Sequence, residues 1–72
     1  MDMRKLVGRN VRRAREAASL TQEQLAERSG FSQQYISDLE RGRRNPTIVS
    51  VFEIAQALGA TPIQLLTPDH ED

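Results

Sequence analysis

The sequence predicts an all-α domain built from five short helices. Apolar residues recur at intervals of three and four, which is the spacing of one buried helix face. Capping residues precede four of these stretches, and a glycine or a proline follows most of them. The chain does not show the strict apolar–polar alternation that predicts a half-buried strand.

The first helix is predicted to run from about Arg4 to Ala18. Its apolar residues follow the i, i+4, i+7, i+11 spacing of a buried stripe. The stripe comprises Val7, Val11, Ala14 and Ala18. Gly8 interrupts the helix at a cost of up to about 1 kcal/mol relative to alanine. It either weakens the helix or marks a close packing contact.

Residues 21–42 predict two short helices joined by a tight turn. Thr21 is an N-cap residue, and Gln24 follows it at the spacing of a capping box. Gly30 ends the second helix, and Ser32 caps the third. Two helices joined by a short turn with glycine form a helix-turn-helix, the motif that places a helix in the major groove of DNA.

The third helix, about 33–41, has two different faces. At about 100° per residue, Ile36 and Leu39 lie together on one side and can dock on a core. The opposite side carries Gln33, Gln34, Ser37, Asp38 and Arg41. A solvated helix usually carries long, paired charges, whereas short hydrogen-bonding side chains match the edges of bases. A Gln-Gln pair alone indicates only exposure, but inside this motif it favours a base-reading face.

The C-terminal part predicts two further helices. Thr47 caps the fourth, over 48–58, and Thr61 with Gln64 forms a capping box for the fifth, from Pro62 to about Leu66. The buried stripe of the fourth helix comprises Ile48, Val51, Ile54, Ala55 and Leu58, with Phe52 beside it. One domain therefore spans 1–68, and residues 69–72 form an acidic tail.

Composition excludes several classes of protein. There is no cysteine, and the one histidine, His70, is in the tail. A disulfide, a Cys/His zinc site and a nucleophile–histidine pair are therefore not expected. No apolar run approaches the roughly 18 residues of a membrane span, and there is no signal-peptide core. We expect a non-enzymatic cytoplasmic protein without a metal or cofactor.

The net charge of zero hides a strong asymmetry. Residues 1–44 hold all ten Lys and Arg residues and six acids, a net charge of +4. Residues 45–72 hold four acids and no basic residue, a net charge of −4. The basic part contains the helix-turn-helix, so we expect it to face the phosphates of DNA, with the acidic end pointing away.

The chain resembles the lambda-repressor-like DNA-binding domains, also called the Cro and phage-repressor group or the Xre family. The resemblance rests on four segments in the same order: LTQEQLA, GFSQQYIS, LERGRRNPT and IAQALGATP. The resemblance covers roughly Leu6 to Leu66. It implies five helices and a transcription regulator, usually a repressor, that binds a near-palindromic operator as a homodimer. Short chains of this kind resemble phage regulators, restriction-modification controller proteins and antitoxins; the RNPT junction favours controllers. A fragment of a longer regulator is equally compatible.

The resemblance also implies roles for individual residues. The base-reading positions correspond to Gln33, Gln34, Ser37 and Asp38. Gln22 matches a family position that contacts the phosphate backbone and sometimes an outer base. Independently of the resemblance, residues on or directly after the third helix are assigned to phosphates; they are Tyr35, Arg41, Arg43, Arg44 and Asn45. Arg12 on the first helix is either solvated or contacts phosphate. Arg15 and Glu40 match a largely buried ion pair of the family. Removing one partner of such a pair leaves an unpaired buried charge.

Large apolar residues near the C-terminus predict self-association, and one acidic residue on the third helix raises an alternative function. Ile63, Leu65 and Leu66 put three large apolar residues on a helix of about one turn, and Phe52 and Val49 are near it in sequence. A single chain is not expected to bury all of them, which predicts a small homodimer interface that includes Phe52, Ile63 and Leu66. The alternative is that these residues cap the core of a monomer. The alternative function is a protein-interaction module of the same fold, such as an antitoxin that acts mainly through a partner protein. Asp38 on the reading face favours this alternative, although Arg41 lies one turn away to offset its charge. No small-molecule effector is evident.

Overall fold

The computed structural model describes residues 1–68, and within them the chain forms five α-helices and no strand. The helices are α1 (Met3–Ala17), α2 (Gln22–Ser29), α3 (Gln33–Glu40), α4 (Ile48–Leu58) and α5 (Pro62–Leu66). The prediction of an all-α, five-helix fold is confirmed, with each boundary within one residue. The predicted acidic tail, 69–72, lies outside the described residues.

Side-chain caps set the start of each helix. The Thr21 hydroxyl accepts the N–H of Gln24 at 3.0 Å, while the Gln24 side chain accepts the N–H of Thr21 at 2.9 Å, so the predicted capping box is present. The same reciprocal pair forms between Thr61 and Gln64. Asp2 caps α1 by accepting the N–H groups of the first turn, which begins the helix one residue earlier than predicted.

One apolar core holds the five helices together. It comprises Leu6, Val7, Val11, Leu25, Ala26, Ile36, Leu39, Val51, Ile54, Ala55 and Leu65. α1 packs against α3, α4 and α5, while α2 packs against α3 and α4. Because α3 contributes Ile36 and Leu39 to this core, its polar face is directed away from it.

The buried stripes predicted for α1 and α4 are each wrong at one end, where the structure exposes a residue that was predicted to be buried. Ala18 is exposed because α1 ends at Ala17 and the chain turns there, with Ser19 in the left-handed region at φ 59°. Ile48 is 80% exposed because it occupies the first position of α4, beyond the surface that the other helices cover. Ala14 and Leu58 are only partly buried.

Gly8 marks a close contact between two helices. A Cβ atom at this position would lie 2.4 Å from the carbonyl oxygen of Leu39 and 2.9 Å from that of Glu40. The backbone of α1 therefore lies directly against the C-terminal end of α3. This contact explains a glycine within a helix, where it otherwise reduces stability, and the packing interpretation is the right one.

Asn10 is a buried polar residue to which sequence analysis assigned no role. It is 6% exposed, and its Nδ2 donates to the carbonyl oxygens of Leu65 at 2.9 Å and Thr67 at 3.0 Å. The last turn of a helix leaves carbonyl groups without helical partners. Asn10 satisfies two carbonyl groups at the end of α5 and so fixes that helix to α1.

Candidate nucleic-acid interface

The outward face of α3 is the centre of the candidate interface. Ile36 and Leu39 are fully buried, so the helix is anchored along its inner side. Gln33 and Gln34 are exposed at its N-terminal end, and Ser37 and Asp38 are half-buried one turn later. The exposed residues Arg41, Arg43, Arg44 and Asn45 follow directly. Polar side chains on α3 and a basic rim in the segment that follows it are therefore neighbours along the chain.

The Arg15–Glu40 ion pair fixes this helix against α1. Arg15 Nε lies 2.7 Å from Glu40 Oε2 and Nη2 lies 3.1 Å from Oε1, while Nη1 donates to the Leu20 carbonyl at 2.8 Å. The two side chains are 12% and 4% exposed, as expected for a largely buried pair. Hydrogen bonding to the carboxylate, opposed by burial, raises the pKa of Arg15 above its already high ordinary value.

Gln22, the first residue of α2, belongs to the same network. Its Nε2 donates to Glu40 Oε1 at 3.1 Å, so a single carboxylate joins the C-terminal end of α1, the start of α2 and the end of α3. Gln22 is predicted from the sequence to contact phosphate, and no sequence pattern indicates its bond to Glu40. The bond holds the Gln22 side chain beside α3 at the exposed start of α2.

A second chain of contacts crosses the outward face of α3. The rings of Phe31 and Tyr35 stack with centroids 4.6 Å apart and an interplanar angle of 15°. The guanidinium of Arg44 lies 5.1 Å from the Tyr35 ring centroid, in cation–π geometry. Arg44 Nε is also 3.6 Å from Asp38 Oδ2. Arg44, and not Arg41 as predicted, is thus the charge partner that the structure places beside Asp38.

Arg12, the one residue on α1 that was assigned to phosphates, pairs with Glu16 one turn later. Nε and Oε2 are 3.4 Å apart, and both side chains are largely exposed. Exposed pairs of this type are weak, so Arg12 can exchange Glu16 for another anion at little cost. Its position on the surface is compatible with either of the interpretations that the sequence left open.

A separate group of exposed apolar residues lies on α4 and α5. It comprises Ile48, Val49, Phe52, Ile63 and Leu66, and we call it the apolar patch. Ile63 is 74% exposed, whereas Leu65, its neighbour in the predicted interface, is buried in the core of the single chain. Several large apolar side chains exposed on two helices that pack together are typical of a protein–protein contact surface.

Two features are not found among the residues that the structure describes. Within residues 1–68, no His, Cys, Asp and Glu side chains cluster in groups of three or more that could hold a metal ion. No helix in that same part of the chain has the length and apolar character needed to cross a membrane.

Comparison with known proteins places this arrangement in a family. The HTH_3 family model, described as helix-turn-helix, matches residues 11–66. The uncharacterized HTH-type transcriptional regulator y4dJ of Sinorhizobium fredii is 61% identical over 71 residues, which span 99% of this chain and 92% of the relative.

Solved structures share the whole fold. The hypothetical transcription factor NHTF from Neisseria aligns with a TM-score of 0.92 and 36% identity, over 97% of this chain and 80% of that one. The restriction-modification controller protein C.AhdI from Aeromonas hydrophila aligns with a TM-score of 0.83 and 37% identity, over 86% of this chain and 90% of its own. The protein described here therefore belongs to the helix-turn-helix family, in its Xre/Cro-type form.

Proposed function

We propose that this protein regulates transcription by binding double-stranded DNA as a homodimer, with α3 reading the major groove of a near-palindromic operator. The observation that carries the proposal is the outward face of α3, where hydrogen-bonding side chains are flanked by exposed arginines. Its relatives are transcriptional regulators, which supports this role and gives no support to an enzymatic one. The place of action is then the cytoplasm, on DNA.

Residues at the N-terminal part of α3 are proposed to read bases. Gln33, Gln34 and Ser37 lie where helix-turn-helix proteins approach base edges. The amide of a glutamine can donate to N7 and accept from N6 of one adenine, and a serine is short enough to let the helix approach closely. Asp38 lies on the same face, but both of its oxygens already have partners within the protein.

Phosphate contacts are proposed for the residues around this face. They are Gln22, Tyr35, Arg41, Arg43, Arg44 and Asn45, with Arg12 on α1. Arginines that follow a recognition helix and the free N–H groups at the start of α2 are both suited to phosphate oxygens. Such contacts position the protein on DNA without selecting a sequence. Losing one should therefore weaken binding to all duplexes equally.

The apolar patch is proposed to join two copies of the chain. Phe52, Ile63 and Leu66 are exposed in the single chain, so burying them against a second copy removes apolar surface from water. A two-fold contact between α4 and α5 of each copy would hold the two α3 helices about 34 Å apart, one turn of DNA. The patch is small, so we expect weak dimerisation that DNA strengthens.

Among the subtypes, we favour a controller protein of a restriction-modification system. The support is the likeness to the controller protein from Aeromonas hydrophila over most of both chains. A phage regulator would share the same reading face. An antitoxin acting mainly through a partner protein would not need the exposed arginines beside α3. Salt-sensitive binding to DNA therefore favours the first two subtypes over the third.

Two alanine variants test the mechanism because one should lose preference for the specific duplex, whereas the other should lose affinity for all duplexes. Gln34→Ala is expected to cost about 1–3 kcal/mol on the preferred duplex and to relax one base position, with little change in salt dependence. Arg43→Ala is expected to weaken binding to specific and scrambled duplexes alike and to reduce the salt slope by about one. The measurement is the dissociation constant of each variant on both duplexes at several salt concentrations.

Each variant serves as the control for the other, because both truncate an exposed side chain and should leave the fold intact. Equal losses on the specific and the scrambled duplex for Gln34→Ala would show that α3 does not read the sequence. An unchanged salt slope for Arg43→Ala would remove Arg43 from the set of phosphate contacts.

A further inference from the structure

The carboxylate of Asp38 is already engaged within the protein. Its Oδ1 accepts a hydrogen bond from Gln34 Nε2 at 3.0 Å, and its Oδ2 lies 3.6 Å from Arg44 Nε. The side chain is only 21% exposed, although it lies on the outward face of α3. Each oxygen therefore already has one partner, and a base that bound this carboxylate directly would have to share an oxygen with Gln34 or Arg44.

The bond to Asp38 fixes the orientation of the Gln34 amide. A carboxylate can only accept hydrogen bonds, so Gln34 must turn its NH2 group, and not its carbonyl oxygen, toward Asp38. One N–H and the carbonyl oxygen of Gln34 then remain for a ligand. A donor beside an acceptor is the arrangement that matches N7 and N6 of adenine.

Arg44 makes a carboxylate tolerable at this position. An uncompensated negative charge close to phosphates would oppose DNA binding, and the guanidinium offsets that charge. Contact with the ring of Tyr35, which itself stacks on Phe31, holds the guanidinium in place. The contacts connect Phe31, Tyr35, Arg44, Asp38 and Gln34 in that order. The Gln34 amide is the exposed end of this series.

We propose that Asp38 is a positioning residue, which orients Gln34 to select adenine and does not itself read a base. The proposal rests on the proposed function, because it assumes that α3 enters the major groove. Its physical basis is preorganisation: a side chain that is held before binding loses less conformational entropy when the duplex binds. The hydrogen bond also disfavours the flipped amide, whose donor and acceptor are exchanged.

The test compares Gln34→Ala, Asp38→Ala and the double variant on duplexes changed at each operator position. If Asp38 acts through Gln34, both single variants flatten the preference at the same base pair. We expect Asp38→Ala to reduce the adenine preference about five- to tenfold, within the range of one bidentate base contact. The double variant should lose no more than Gln34→Ala alone, because the two residues form one unit.

Asp38→Asn is the matched control. It removes the same negative charge as Asp38→Ala but keeps a carbonyl oxygen that can accept from the Gln34 amide. Both variants should gain general affinity for DNA when the negative charge is lost. Only Asp38→Asn should keep most of the adenine preference. Equal loss of preference in the two variants would overturn the positioning role.

A measurement on the free protein separates this inference from the proposed function. The side-chain N–H signals of Gln34 in the NMR spectrum should shift in Asp38→Ala and stay close to wild type in Asp38→Asn. Unchanged Gln34 signals in Asp38→Ala would overturn this inference and leave the proposed function standing. The same conclusion would follow if Asp38→Ala lost preference at a different base pair from Gln34→Ala and the two losses multiplied in the double variant. A wild-type protein without any base preference would overturn the proposed function as well.

Discussion

Arg15→Met is expected to lower the free energy of unfolding by about 3–5 kcal/mol. The substitution leaves the carboxylate of Glu40, which is 4% exposed, without its cation in the interior. It also removes the hydrogen bond to the Leu20 carbonyl, so the connection between α1 and α2 loses an anchor. For a domain of this size, we expect the melting temperature to fall by more than about 10 °C.

Arg12→Met provides a matched control on the same helix. The substitution is chemically identical, but Arg12 and Glu16 form an exposed pair, whose loss should cost about 1 kcal/mol at most. Thermal and urea unfolding of both variants give the comparison. If Arg15→Met melts within about 2 °C of the wild type, the Arg15–Glu40 pair does not fix α3 and this part of the account is wrong.

Ile63→Lys is expected to weaken binding to a complete operator by about a hundredfold or more, because two linked half-sites bind far more tightly than one. Ile63 is 74% exposed in the single chain, so the substitution should leave the fold and stability unchanged. A buried lysine at a dimer contact is unfavourable. The added positive charge can only favour DNA, so a loss of affinity would come from the lost dimer.

Ala18→Lys controls for the added charge, since Ala18 is exposed at the end of α1 and lies outside the apolar patch. Sedimentation should show weak self-association for the wild type and for Ala18→Lys, and a monomer for Ile63→Lys. On an isolated half-site, all three proteins should bind with similar affinity. A wild type that remains monomeric at millimolar concentration and binds DNA as one copy per duplex would contradict the homodimer.

Local sequence signals predicted the helices well because each signal acts within a few residues. Thr21 and Thr61 cap the helices that follow them through bonds to residues three positions later. Gly30 adopts the left-handed conformation that ends α2. Ile36 and Leu39 are buried because helical spacing alone puts them on one face. The ion pair of Arg15 and Glu40 was predicted in another way, from family resemblance.

The features that the sequence did not predict depend on contacts between distant parts of the chain. Asn10 bonds to carbonyl groups 55 and 57 residues away, and a helical pattern says nothing about such partners. The one available signal was its place between Val7 and Val11 on the apolar face of α1. The pairing of Asp38 with Arg44 was missed because Arg44 lies beyond the end of α3, where helical angles no longer apply.

If α3 reads a DNA sequence as part of a two-fold dimer, the duplexes that the protein selects should carry a two-fold pattern. Duplexes bound by the wild-type protein are selected from a random pool at moderate salt and sequenced. We expect an enriched, near-palindromic consensus whose half-sites are centred about one turn of DNA, roughly 34 Å, apart. A bound pool that stays random in sequence while its binding remains sensitive to salt would show that α3 does not read a sequence, because phosphate contacts alone would then explain the binding.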